Sequence, residues 1–262
     1  MRSEDYLRGR HAIVTGGGRG IGAAIAQDLA ERGANLSLFG RDMDRLHETA
    51  EAVRNRCDSR VETHQVDVMD LASVEKGFVD AVKPLGRVYI LVNNAGQAEA
   101  SPFPEMNPAH WQKMLDANLT SVFYCTKQVL PAMAKSGEGR VVNIASTAGV
   151  RGYPKVSAYC AAKHGVIGLT RSLALEYAKS GVTINAVCPG YTETEMLDRA
   201  VQELMKSVGK SAEEARTMLT RPNPQARLVT PQEVADAVAW LCSPGASAIT
   251  GQSIAVAGGE VM

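Results

Sequence analysis

The stretch Thr15-Gly16-Gly17-Gly18-Arg19-Gly20-Ile21-Gly22 decides the fold. It follows the β-prone run His11–Thr15 and opens into Ala23-Ala24-Ile25-Ala26, the start of a helical pattern. A strand that turns through glycines into a helix lets backbone approach a ligand closely. It also aims the helix's unpaired first N–H groups and positive dipole end at that ligand. A dinucleotide pyrophosphate suits such a turn, with Gly16, Gly18, Arg19, Gly20, Ile21 and Gly22 as its cradle. The Gly16-x-x-x-Gly20-x-Gly22 spacing departs from the common Gly-x-Gly-x-x-Gly fingerprint, and a tight βα turn that binds nothing is the alternative.

Outward from that turn, β-prone runs alternate with helical patterns along the chain. Strands are expected at His11–Thr15, Asn35–Phe39, Val61–Val66, Val88–Val92, Arg140–Ala145, Thr183–Val187 and Ser253–Val256. Helices are expected near 21–32, 42–56, 71–83, 108–134, 157–178 and 231–242. Alternation of this kind predicts right-handed βαβ crossovers. Continuous apolar runs such as Ile90-Leu91-Val92 suit strands buried on both faces. The expectation is therefore an α/β fold, a doubly wound Rossmann-type parallel sheet of about seven strands with helices on both faces. A single domain over 1–262 should carry both dinucleotide binding and catalysis.

The rhythm breaks at 191–226, which reads as a substrate lid with one or two short helices. Met196, Leu197, Leu204, Met205, Met218 and Leu219 recur there at helical spacing. Gly209-Lys210-Ser211 looks like the end of a phosphate-binding P-loop, but Leu204 stands where the upstream glycine belongs.

Composition excludes several classes. The 262 residues carry 28 Lys plus Arg against 28 Asp plus Glu, a net charge of zero that argues against nucleic-acid or membrane-surface partners. No apolar run is long enough to span a bilayer, and Met1-Arg2-Ser3-Glu4-Asp5 lacks a signal-peptide core. The cysteines at 57, 125, 160, 188 and 242 are scattered and odd in number, so neither disulfides nor a metal site is expected. A cytoplasmic protein acting on a small molecule is the consistent reading.

The end of the second strand bears on which dinucleotide binds. An acid there would hydrogen-bond a ribose 2′-OH, whereas arginine suits a 2′-phosphate. The chain has Gly40 and then Arg41, with Arg19 able to close from the other side, so NADP(H) is favoured over NAD(H). Each arginine–phosphate hydrogen bond contributes about 1.5–3 kcal/mol, roughly ten- to a hundredfold. Asp42 either neutralises Arg41 or caps the next helix. Asp67-Val68, after the third strand, is placed for an adenine amino group or for starting a helix. Asn93-Asn94-Ala95-Gly96 ends the fourth strand at the ligand-binding edge, where Asn94, Ala95 and Gly96 permit close packing against a ribose, or else form only a turn.

Tyr159 and Lys163 lie four apart in a helical pattern, so phenol and ammonium can act on one small volume; Ser146 lies thirteen residues upstream of Tyr159. A free phenol titrates near ~10, and lowering that by about 3 units requires roughly 4 kcal/mol of differential stabilisation. A partly desolvated lysine and a cationic cofactor ring could jointly supply it.

With these residues assembled, the chain resembles the short-chain dehydrogenase/reductase family. The match runs in order through Thr15 to Gly22, Asp67, Asn93 to Gly96, Asn118, Ser146, Tyr159 with Lys163, Pro189-Gly190 with Thr194, and Ile249-Thr250-Gly251-Gln252. The resemblance implies an oxidoreductase that moves a hydride between a nicotinamide cofactor and a ketone or secondary alcohol. Tyr159 would pass the proton, Lys163 would hold the nicotinamide ribose and depress the phenol, and Ser146 would orient the substrate oxygen. Asn118 would hold a helix irregularity and a water. Pro189, Gly190, Thr192 and Thr194 would grip the carboxamide, although the family usually has Val or Ile at position 192. The stretch Asn143-Ile144-Ala145-Ser146-Thr147 is similar to 3-oxoacyl-thioester and polyketide ketoreductases, implying an apolar carbonyl substrate. Its pocket is expected between Thr147, Ala148, Val150, Gln97–Ala100, Tyr153 and the lid. Oxidation with NAD and a non-catalytic dinucleotide sensor are the alternatives. The family also commonly forms homotetramers through the helices near 108–134 and 157–178.

Overall fold

The structure is a computed structural model that describes residues 5–262, the side chains of Ser207 and Val208 excepted. The first four residues of the stretch Met1–Asp5, read above as lacking a leader core, lie outside the described residues.

The seven strands are β1 (His11–Thr15), β2 (Asn35–Gly40), β3 (Val61–Gln65), β4 (Val88–Asn93), β5 (Gly139–Ile144), β6 (Val182–Pro189) and β7 (Ser253–Val256). They pair in the order β3-β2-β1-β4-β5-β6-β7, with every neighbour parallel. The winding reverses between β1 and β4, where Val14 faces Leu38 on one side and Val92 on the other. Ligands in open parallel sheets bind at this switch point, beyond the strands' carboxyl ends.

Strand side chains alternate between two cores. Val14, Leu38, Val92 and Val142 pack beneath α1 (Gly20–Glu31), α2 (Met43–Arg54) and α9 (Pro231–Cys242), through Ile25, Leu29, Leu46, Val53, Val234 and Val238. Their chain neighbours Ile13, Phe39, Leu91 and Val141 turn to the opposite face. There they meet Val74 and Phe78 of α3 (Leu71–Leu85), Val129 and Met133 of α5 (Ser121–Ser136) and Ala174 of α6 (Ser157–Glu176). The period-two alternation of apolar side chains is thus satisfied on both faces, as the continuous apolar runs require.

One helix departs from the sequence reading. The helix expected over 108–134 is α4 (Pro108–Leu115) and α5, joined by a π-helical turn over Asp116–Thr120, the irregularity that the resemblance implied at Asn118. Such turns leave carbonyls without regular partners, and the Asn118 side chain takes one by donating to the Met114 carbonyl at 2.9 Å. The lid holds two helices, α7 (Glu195–Val208) and α8 (Ala212–Thr220), and α8 opens with a capping box between Ser211 and Glu214. Leu197, Val201 and Ala215 give the pair its own small core. A bridge between Thr192 and Val229 pins the base of the excursion.

Candidate active site

The glycine turn is fastened to the end of β4. Thr15 Oγ1 accepts the N–H groups of Asn94 and Ala95, both at 3.0 Å. The Asn94 amide donates to the carbonyls of Thr15 at 2.9 Å and Gly16 at 3.2 Å. Asn94, read from sequence as a ribose neighbour, therefore has its amide committed to shaping the turn. A Cβ on Gly22 would lie 2.1 Å from the Gly16 carbonyl oxygen, and Gly16 has φ +64°. No other residue fits either position without moving backbone. The α1 N-cap, Arg19, makes no side-chain cap, and the first turn carries no acid. Its leading N–H groups and dipole thus lack an anionic partner from within the helix, which fits the donor set expected for a pyrophosphate.

The arginines are arranged differently from the sequence picture. Asp42 caps α2 by accepting from Arg45 N at 3.3 Å, and its carboxylate pairs with the Arg45 side chain at 3.2 Å, not with Arg41. The Arg41 guanidinium has no hydrogen bond or ion pair among the described residues, while its carbonyl accepts from Gln65 Nε2 at 3.1 Å. Arg19 is held by Glu195, the first residue of α7, at 2.7 Å, and Arg45 binds the other oxygen of the same carboxylate. The sequence reading gave Arg45 and Glu195 no contact with one another and no role at the glycine turn, although Glu193-Thr194-Glu195-Met196 is a stretch similar to ketoreductases. Arg45 was accessible to it as a cation one turn past the β2 end. Glu195 was not, because the contact joins residues 150 positions apart.

Asp67 accepts from Met69 N at 2.9 Å, and Asp70 caps α3 by accepting from Ala72 N at 3.1 Å. Asp67-Val68 thus forms the turn into α3, with one Asp67 oxygen committed to it. Thr192 is buried, and its hydroxyl donates to the Gly190 carbonyl at 3.0 Å; the Thr194 hydroxyl donates to the Thr192 carbonyl at 3.2 Å. Pro189 ends β6, and Gly190 abuts the C-terminal segment, where its missing Cβ would lie 3.2 Å from Glu260 Oε2.

Four residues meet beyond the ends of β4 and β5. The Asn118 amide donates to the Gln97 carbonyl at 2.8 Å, and its Oδ1 accepts from Gln97 N at 3.1 Å. Gly96 fits against it closely; a Cβ there would lie 2.7 Å from Asn118 Oδ1 and 3.6 Å from Lys163 Nζ. Lys163, only 4% exposed, donates to the Ile144 carbonyl at 2.8 Å, and its ammonium lies 5.7 Å from the Tyr159 ring centroid. Ser146 leaves β5 two residues after Ile144 and caps a short turn by accepting from Ala148 N at 3.1 Å.

Burial dominates the electrostatics of the site. Burial pushes the Tyr159 phenol up to about 12, and the hydrogen bond with Ser146 offsets only part of that. Burial also brings the Lys163 ammonium down to about 8. Lys163 was expected to depress the phenol jointly with a cationic cofactor ring. With the protein's groups alone, burial dominates at the phenol, and the Lys163 nitrogen is directed at the Ile144 carbonyl.

Beside Ser146, Tyr153 bonds Thr147 Oγ1 at 2.8 Å and the Glu260 carboxylate. The Glu260 side chain is 1% exposed, with Arg151 Nη1 at 3.7 Å. Thr147, Ala148 and Val150 carry no charge. A carboxylate from the far end of the chain supplies what that segment lacks.

The family model described as short chain dehydrogenase matches residues 10–204. The chain is 39% identical to the 3-oxoacyl-acyl-carrier-protein reductase FabG of Vibrio cholerae, over 98% of this chain and 99% of that protein. It is 37% identical to a D-beta-hydroxybutyrate dehydrogenase of Cupriavidus necator, over 97% and 99%. A crystal structure of a point variant of actinorhodin polyketide ketoreductase with NADPH superposes with a TM-score of 0.92 at 39% identity, covering 96% of this chain and 97% of that one.

The buried lysine yields a stability test. A lysine near 8 when folded and 10.5 when unfolded is protonated in both states below pH 8, so its burial penalty is fully present there. Between those values only the unfolded chain holds the proton, so stability from this group rises with pH. Lys163→Met removes the group. Urea unfolding at pH 7.5 and 9.5 should show the variant gaining on the parent at the lower pH by roughly 1–3 kcal/mol relative to the higher. A difference independent of pH would show that the ammonium is not desolvated.

Proposed function

The chain belongs to the short-chain dehydrogenase/reductase family, and from that premise we propose that it reduces a ketone of apolar or 3-oxoacyl type, with NADP(H) preferred over NAD(H). It is an enzyme of the nicotinamide-dependent oxidoreductase class. The observation that carries the proposal is the meeting of Gly96, Asn118, Ser146, Tyr159 and Lys163 beyond β4 and β5, next to the glycine turn.

The nicotinamide supplies or accepts the hydride. The glycine turn and the α1 N-terminus would hold the pyrophosphate, and Thr192 and Thr194 the carboxamide. The protein's own work is orientation and proton transfer. Ser146 holds the substrate oxygen against the Tyr159 hydroxyl, and Tyr159 gives its proton to that oxygen as the carbonyl becomes an alcohol. The phenol is raised by burial and protonated at neutral pH, as a proton donor to the carbonyl oxygen requires. Lys163, charged below about 8, stabilises the phenolate left behind. Asn118 and the Gln97 carbonyl bridge the π turn to this site and lie on the route by which it would be reprotonated.

Relatives named for 3-oxoacyl reduction and polyketide ketoreduction support the substrate class. The hydroxybutyrate dehydrogenase favours a second reading, oxidation of a hydroxy acid. Arg41, free of ion pairs among the described residues, supports NADP(H). A single domain, a cytoplasmic location and a homotetramer belong to the same proposal. Exposed Trp111 and Phe123 on α4 and α5, and Leu175 on α6, support assembly through those helices. Among the described residues no helix is long and apolar enough to cross a membrane.

Tyr159→Phe should lower turnover by about 10²–10⁴-fold while dinucleotide binding changes little; a variant that retains most of its activity would place the proton elsewhere. Arg41→Ala should weaken NADPH about ten- to a hundredfold and NADH hardly at all, with equal losses reversing the cofactor preference. In steady-state assays, 3-oxoacyl thioesters should turn over faster than polyols. Polyol rates as high would remove the acyl reading.

A further inference from the structure

Glu195 ties together three segments that the sequence keeps far apart. One carboxylate oxygen lies 2.7 Å from Arg19 in the glycine turn, and the other binds Arg45 in the first turn of α2. Asp42 adds a third contact to Arg45 at 3.2 Å. Glu195 is also the first residue of the lid helix α7, one position after Thr194. A Cβ on Gly20 would lie 3.1 Å from the Thr194 methyl, so the root of the lid rests on the glycine turn itself. Because α7 and α8 share a core of Leu197, Val201 and Ala215, whatever shifts α7 at its root carries the pair with it.

We propose that Glu195 is a gate for the dinucleotide's 2′-phosphate: its carboxylate occupies Arg19 and Arg45 until that phosphate takes them, so that selecting NADP(H) also loosens the root of the lid. The inference rests on the NADP(H) reading and extends it to residues that reading did not use. A phosphate monoester carries about −1.5 to −2 charges with three acceptor oxygens, against one charge and two oxygens on Glu195. It therefore outcompetes the carboxylate for guanidinium forks, and the carboxylate left beside it is repelled. A 2′-hydroxyl carries no charge and leaves the latch closed. Glu195 is consequently a specificity determinant acting through Arg19 and Arg45, and Arg45 is a third cation for the phosphate beside Arg19 and Arg41.

The test compares the parent, Glu195→Gln, Arg45→Met and the double variant. Dissociation constants are taken by fluorescence titration for NADPH, NADH, adenosine 2′,5′-bisphosphate and AMP. Two exposed ion pairs each contribute a factor of roughly 1.5–5, so Glu195→Gln should tighten NADPH and the bisphosphate about three- to tenfold while NADH and AMP stay within about twofold. Arg45→Met should weaken the 2′-phosphorylated ligands, and the double variant should lose most of the Glu195→Gln gain. Equal shifts for phosphorylated and unphosphorylated ligands, or weaker NADPH binding by Glu195→Gln, would overturn the gate. A parent enzyme that binds NADH as well as NADPH would instead defeat the NADP(H) reading, and the bisphosphate against AMP would still judge Glu195. The lid supplies a readout independent of turnover. Trypsin should cut after Lys210, between α7 and α8, faster in Glu195→Gln than in the parent. The bisphosphate should bring the parent toward the variant's rate where AMP does not. Rates that ignore both the substitution and the bisphosphate would overturn the coupling to the lid.

Discussion

The site depends on keeping one ammonium out of water. Lys163 is 4% exposed and donates to a single carbonyl, that of Ile144 at the end of β5. Desolvating a cation costs several kcal/mol unless nearby dipoles offset much of it. The fold arranges the offset around this nitrogen. Gly96 lets the β4 end approach to within van der Waals distance, and Asn118 is held beside it by the π turn. α6 must place Lys163 and Tyr159 on one face, and β5 must end where its last carbonyl points at the nitrogen. Each constraint fixes an element boundary, which is why Ser146 emerges next to the phenol.

Buried charge also explains the electrostatic balance. With only the protein's groups acting, phenol and ammonium are both pushed toward their neutral forms, up to about 12 and down to about 8. This arrangement keeps the proton on Tyr159 until a further charge arrives at the site. A negative charge forming on a substrate oxygen, or a positive charge on the oxidised nicotinamide, would each act undamped by solvent on a phenol whose surroundings are already dry.

How much of this was legible in the sequence follows from the range of each interaction. The seven strands were readable because apolar runs such as Ile90-Leu91-Val92 record a sheet buried on both faces, and Gly16, Gly20 and Gly22 record a turn no other residue can make. Tyr159 and Lys163 were readable because helical spacing alone puts them together. The π turn was not readable from the apolar pattern of 108–134, which continues through it; the irregularity at Asn118 came only from the family resemblance. Asn94 was read as packing against a ribose or else forming a turn, because an amide suits a binding edge as readily as a turn. Only the distances to the Thr15 and Gly16 carbonyls decide between them. Contacts such as Tyr153 with Glu260, 107 positions apart, leave no local trace at all.

The same distinction separates scaffold from selectivity in this fold. Several groups that frame the reacting volume come from strand ends and are fixed by the sheet: Ile144, Ser146, Gly96 and Pro189 each sit within three residues of a strand end, while Tyr159 and Lys163 come from α6 and Asn118 from the π turn. Other groups around the site come from α2, the lid and the C-terminal segment, which the sheet does not fix. Arg45 and Glu195 are held by exposed ion pairs, and Glu260 by Arg151 and Tyr153. A sheet tolerates no shift of register without turning every side chain to the wrong face, whereas a solvent-exposed ion pair can be exchanged at little cost. Carbonyls and glycines at strand ends are therefore held in place by register, whereas the exposed pairs of Glu195 with Arg19 and Arg45 can exchange partners at little cost.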